Sequence, residues 1–337
     1  MDFKYLKTKK INAALWVEIH NPPVNFLTVD ILEELFRLVR QVEKDPSIRV
    51  FILTGGIEDS YIMHFSIPEL VRVSADNEKI MANRIFRTRL GSAVFKGFTS
   101  ITMRLMDRFP WYETLVLRLL RSLKGFSFTL FLWFQMHRLY LAIERMGKIT
   151  IAAINGPCNG GGMEISLCFD FRFIVSDQDF TIGQPEVLLG ILPGGGGSQR
   201  LPRLVGRVKA LEIMLKADQV TVGEAKALGL VTESFRKDEF RAKVQEFADK
   251  MSRRIPVAVE GIKNAVNRGL ETDFLRALTI EMEESIHCFD SPVTQRIMQE
   301  YARFIGQHIE VPKEQRATVR DVVSMLQSDE FLRKTEG

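Results

Sequence analysis

Cysteine is scarce: 337 residues carry three, Cys158, Cys168 and Cys288. Three thiols cannot build a disulfide scaffold for a chain of this length, so a reducing compartment is expected. Long apolar runs are missing too. The longest, Gly125 to His137, is thirteen residues between Lys124 and Arg138, short of the ~20 that span a bilayer. The start, Met1-Asp2-Phe3-Lys4, leads into charged residues without the apolar stretch of a secretory signal, and a cytoplasmic location is expected. Glycine (23) and proline (12) are too few for a collagen-like or low-complexity chain. With 46% hydrophobic and 26% charged residues, a chain disordered throughout is excluded. No fixed-period repeat is present.

The net charge of +4 conceals an uneven distribution. Residues 84–148 hold 12 basic and 3 acidic side chains, a net +9, which leaves −5 for the rest. The same segment holds 12 of the 32 aromatic residues. Pro110 breaks it, and Leu115, Val116, Leu119 and Leu120 pattern one amphipathic helix flanked by Arg118 and Arg121. Core-like patterning resumes at Leu139, so about 84–136 reads as a helical insertion.

Elsewhere short strands and helices alternate. Residues 13–19, 50–53 and 171–175 read as strands, as does 149–155 ahead of Gly156 and the Gly160-Gly161-Gly162 run. Thr28 is placed to cap a helix reaching Glu43. A further glycine cluster, Pro193 to Gly197, precedes a helical stretch through Leu204. Thr221 and Glu224 form a capping box for a helix stopping near Gly229. Helices are expected at 238–253, 256–268 and 272–288, and a charged extension at 306–337. This order gives an α/β core at 1–235 and a helical region at 236–305.

Two segments have the makings of chemistry. In Ile154-Asn-Gly-Pro-Cys-Asn-Gly-Gly-Gly-Met-Glu164 a buried strand runs through glycines into a helix with an early carboxylate. Free N–H groups at such a helix start can stabilise an oxyanion. The plain alternative is a helix start packed closely on a strand. In the second, Ile182 to Ser198, Glu186 lies among Pro and Gly turns ahead of an apolar run. Two carboxyls in apolar settings suit general acid–base work, because burial and mutual repulsion separate their pKa values. Alternatively Glu186 caps a turn or pairs with Arg200.

These segments resemble the crotonase, or enoyl-CoA hydratase/isomerase, superfamily. The resemblance spans about 3–75 and 139–290. Its specific part is Ala152–Val231, including AAINGPCNGGGMEISLCFD and GQPEVLLGILPGGGGSQRL. It implies a spiral of ββα units with C-terminal helices that build homotrimers or dimers of trimers, and an acyl-CoA substrate of fatty acid metabolism. By motif position, the backbone N–H groups of Phe65 and Gly161 form the oxyanion hole, and Glu164 and Glu186 are the catalytic carboxylates. The Gly194 N–H helps hold the water. His64 is a further group placed to position water or substrate, or else a loop histidine bonded to backbone. Retention of both carboxylates favours hydration of a 2,3-unsaturated acyl-CoA. The alternatives are an enoyl-CoA isomerase or other acyl-CoA enolate chemistry, or a catalytically weak acyl-CoA-binding protein. No metal and no separate cofactor is required.

The chain departs from the family pattern in the 62–70 loop, where His64 replaces a glycine, Ser66 an aspartate, and Pro68 fills a position that can carry a coenzyme-contacting lysine. The Asp170–Glu186 stretch is about two residues longer than common. For the basic block the readings are a cover over the acyl pocket, a peripheral membrane contact, a contact to an acyl-carrier protein, or an added helical layer. No nucleic-acid module accompanies it.

Overall fold

The computed structural model describes residues 2–82, 88–122, 127–310, 312, 316–328 and 331. Arg84, Arg87 and Lys124 of the basic block, and the last six residues of the charged extension, lie outside them. The chain forms two compact units, Met1–Asp249 and Lys250–Gly337.

The first unit is built on a six-stranded sheet in the order β1-β2-β3-β4-β6-β8. These strands are β1 (Leu6–Ile11), β2 (Ala14–Ile19), β3 (Val50–Gly55), β4 (Ile149–Ile154), β6 (Phe171–Val175) and β8 (Glu233–Phe235). β1 pairs antiparallel with β2, and every other pairing is parallel. β3 and β4 are buried along their whole length, the mark of parallel strands covered on both faces. A second, two-stranded sheet joins β5 (Cys158–Asn159) to β7 (Ile182–Gly183).

α1 (Val29–Lys44) starts at Thr28, whose hydroxyl accepts the Ile31 N–H at 3.3 Å. It buries Ile31, Leu32, Leu35, Val39 and Val42 against the sheet. α2 (Ile67–Ala82) follows β3 and leads to α3 (Arg89–Arg108) and α4 (Pro110–Ser122), which pack on each other. α5 (Phe128–Glu144) lies against α1, α2 and α4. Phe128, Phe131, Leu132 and Met136 join the main core there, ahead of Leu139. The only two acids of α3 and α4 are both paired: buried Glu113 with Arg138 and Arg40, and exposed Asp107 with Arg138 at 3.0 Å and with Arg145.

After β4 come α6 (Gly161–Ser166), α7 (Gly197–Val205), α8 (Arg207–Lys216), α9 (Val222–Ala227) and α10 (Lys237–Ser252). Both halves of the Thr221–Glu224 capping box form at α9. The second unit consists of α11 (Pro256–Gly269), α12 (Phe274–Asp290), α13 (Pro292–His308) and α14 (Val319–Leu326). All three cysteines are free thiols.

Candidate active site

β4 ends at Ile154 in the middle of the sheet, and the chain passes from there through a glycine-rich turn into α6. Gly160 sits at φ +50°, a left-handed conformation that glycine adopts without a side-chain clash. Close approach dictates Gly162, where a Cβ would lie 2.1 Å from the Ile62 carbonyl oxygen. The 62–65 loop can therefore lie directly against the start of α6. It is anchored from the other side by the Leu27 N–H donating to the His64 carbonyl at 2.9 Å and the Ser66 N–H to the Leu27 carbonyl at 2.8 Å. Buried Asn25 donates to the Ser60 carbonyl at 3.0 Å and fixes the same loop.

Phe65 and Gly161 meet at this junction. The Phe65 nitrogen is 3.4 Å from the position a Cβ would take on Gly161. Neither residue's N–H has an acceptor among the described residues. Two neighbouring main-chain donors without partners suit an oxygen that gains negative charge. Because the donor is backbone, the His64 and Ser66 departures leave it in place.

Glu164, on α6, is buried. Its Oε1 accepts the Gly195 N–H at 2.6 Å and the Gly197 N–H at 2.9 Å. Its Oε2 has no hydrogen-bond partner among the described residues. Burial pushes the carboxyl up to about 7, against the opposing pull of the two N–H groups and of Arg200.

Glu186 opens a 3₁₀ turn, Glu186–Leu189, and is buried. Its Oε1 lies 3.1 Å from the Cβ position of Gly160, which is 3.9 Å from the His64 Cβ. The buried Gln184 amide, oriented with its nitrogen toward the carboxylate as its surroundings require, donates to both Glu186 oxygens at 3.0 and 3.1 Å. Burial, and then the negative charge of Glu164, push Glu186 up to about 7. Near neutral pH the two carboxyls therefore cannot both be fully ionised, and one proton is available between them.

The remaining two predicted positions lie at the margin. Gly194 is half-buried, one residue before the first Glu164 donor. The half-buried His64 places Nδ1 2.7 Å from the Phe65 carbonyl oxygen, with its ring 4.7 Å from that of Phe26. A carbonyl can only accept, so Nδ1 carries the hydrogen in this contact.

The sequence reading missed the Gly195 and Gly197 donors, Gln184, and one face of α5. Trp133, His137, Tyr140 and Glu144 recur at helical spacing along that face. Glu144 binds Arg200 at 2.8 Å, and Arg200 also donates to the Gly195 carbonyl at 3.2 Å. The Tyr140 ring comes 3.0 Å from the Cβ position of Gly195, itself 2.7 Å from the Glu164 Oε2. Burial, and secondarily Arg200, push His137 down to about 4, so it is uncharged at neutral pH. Just after Glu186, Val187, Leu188, Leu189, Ile191 and Leu192 form an exposed apolar run.

The family model for enoyl-CoA hydratase/isomerase matches residues 122–304. A crotonyl-CoA hydratase of Syntrophomonas wolfei is 33% identical over 266 residues, covering 79% of this chain and 82% of that one. This chain belongs to the enoyl-CoA hydratase/isomerase family. A short-chain-enoyl-CoA hydratase of Clostridium acetobutylicum is 30% identical over 86% of this chain and 92% of its own. Among solved structures, an enoyl-CoA hydratase from Bacillus anthracis superposes with a TM-score of 0.68 at 23% identity, over 89% of this chain and 97% of that one. The family's spiral α/β fold is thus the fold of this chain. In this family member the carboxyls and the paired N–H groups lie in the segments that follow the C-terminal ends of β3, β4 and β7, and ligands of open α/β sheets bind at the C-terminal ends of the strands.

Proposed function

We propose that this protein adds water reversibly across the 2,3 double bond of an acyl-CoA thioester. The observation that carries the reading is the pair of buried carboxyls, Glu164 and Glu186, the second raised further by the charge of the first, beside the unpartnered N–H groups of Phe65 and Gly161. The thioester oxygen rests on those two N–H groups, which stabilise it as charge develops. The ionised member of the carboxyl pair takes a proton from water as the water oxygen bonds to C3. The π electrons move to C2 and the thioester oxygen, and the protonated member gives its proton to C2. The pair ends with its proton exchanged between members, so no redox partner, metal or separate cofactor is needed. The Gly194 N–H and His64 help position the water or substrate, and the apolar run after Glu186 accepts the acyl chain. The working form is a homotrimer or a dimer of trimers.

The test is turnover of crotonyl-CoA and longer enoyl-CoAs, followed by loss of enoyl-thioester absorbance and by product mass. A product heavier by one water is expected, whereas an unchanged mass would mean isomerisation. Glu164→Gln is expected to lower kcat at least ~100-fold, the scale of lost acid–base catalysis. Full activity in that variant would remove Glu164 from the mechanism.

A further inference from the structure

We propose that the hairpin of α3 and α4 is a docking face for an anionic lipid surface. The acyl-thioester chemistry neither requires nor predicts such a face, and the proposal stands independently of it. Three observations meet on these two helices.

The first is apolar exposure. On α3, Leu90, Val94, Phe98 and Ile101 recur every three to four residues and all face solvent, Leu90 at 76% exposure. On α4, Trp111, Leu115 and Leu119 form a second stripe, with Trp111 66% exposed. Exposed large side chains scattered singly mean little, but here two stripes on packed neighbouring helices together expose seven of them.

The second is the sign of the exposed charge. The only acids on the hairpin, Asp107 and Glu113, are both engaged by arginines from α5 and its C-terminal end or α1. Arg89, Lys96, Arg104, Arg108 and Arg118 are exposed and form no ion pair with a described residue. Asp107 is exposed, but its carboxylate is tied to Arg138 and Arg145, so the unpaired charge that the hairpin offers outward is cationic.

The third is length. α3 has 20 residues, about 30 Å at 1.5 Å per residue. Its apolar stripe, Leu90 to Ile101, covers about 17 Å of that length, and such a stripe with cations along the helix and a tryptophan at the helix junction matches an interfacial helix lying in the plane of a membrane. A second copy of the chain fits less well. A two-fold contact would set the same unpaired cations against themselves. No helix among the described residues is long and apolar enough to cross a membrane, so the contact is peripheral.

The experiment is flotation of the full chain with phosphatidylcholine vesicles, with and without phosphatidylserine, at low salt and at about 1 M salt, where the Debye length is ~3 Å. Binding is expected only with phosphatidylserine and is expected to be lost at high salt. Replacing Arg104 and Arg118 by Gln should weaken it roughly 30-fold, at about five-fold per cation. Trp111→Ser with Leu115→Ser should weaken it independently. Hydration of a short, soluble enoyl-CoA should be unchanged in all variants, which separates lost docking from lost folding or catalysis. Binding indifferent to phosphatidylserine overturns the proposal, as does no binding by the wild type. So does a wild type that ignores vesicles but forms larger assemblies that the Trp111/Leu115 variant cannot form, or that retains an acidic acyl-carrier protein instead.

Discussion

At the scale of the residue, the decisive choice is a carboxyl held in place by main chain. Glu164 loses its water on burial and regains two N–H donors on one oxygen. Its value nonetheless rises from 4.5 to about 7, because desolvation exceeds what the donors return. The folded chain therefore holds a proton that the unfolded chain releases above about 4.5. The stability this lends is complete below that pH and lost as pH rises through about 7. Ionisation in the folded state costs up to about 3 kcal/mol. Glu164→Gln keeps an oxygen acceptor for Gly195 and Gly197 but cannot ionise. Its melting temperature should exceed wild type at about pH 8 and match it near pH 5, a gain of stability with loss of turnover. A scanning-calorimetry series over pH checks this, and a variant less stable at both pH values would contradict it. Glu164 and Glu186 were legible because a carboxylate beside glycine turns is a pattern of side chains. Gly195 and Gly197 as donors were not, because any residue but proline carries the same N–H.

At the scale of the element, legibility follows amphipathicity. α1 was readable from its cap and its single apolar face, and α9 from Thr221 and Glu224. α5 was not, since apolar residues surround it and it packs against three helices at once, leaving no face for periodicity to mark. β1 was missed because Leu6 is its only buried residue, while Lys7, Lys9 and Lys10 stand exposed on the edge of the sheet. The α3–α4 hairpin is fastened through buried Glu113, which serves Arg138 and Arg40 together. Glu113→Ala leaves the buried Arg138 guanidinium with only Asp107, and should cost about 3 kcal/mol. Hydrogen exchange should then rise over 89–122 well before it rises in β3 and β4. Unchanged protection in the hairpin would show that apolar packing alone holds it.

At the scale of the whole molecule, the exposed apolar surface of the second unit calls for a partner. Ile262 and Val266 of α11 and its C-cap Leu270 form one stripe, and Leu275, Leu278, Met282, Ile286 and Phe289 another on α12. Stripes of this length on contacting helices are expected to be covered by further copies of the chain. Light scattering should give three or six times the 38.6 kDa chain mass. Met282→Glu with Ile286→Glu should return it to a smaller species, and a wild-type monomer would refute the assembly. The sequence carried the α/β order and the family's central motifs at full strength. It was weaker on the hairpin, whose outward face is defined by which acids are spent on internal pairs.

Four donors at the proposed site belong to Phe65, Gly161, Gly195 and Gly197, and all four are amide nitrogens of the main chain. That part of the site is inherited as a path of the backbone rather than as a set of side chains. Side chains on the 62–66 loop are then free to diverge, as His64 and Ser66 do, while the main-chain donors stay fixed. Ordinary mutagenesis cannot delete such a donor, apart from proline, which also redirects the chain. Replacing one amide by an ester through chemical ligation would remove the N–H and leave the fold's outline intact.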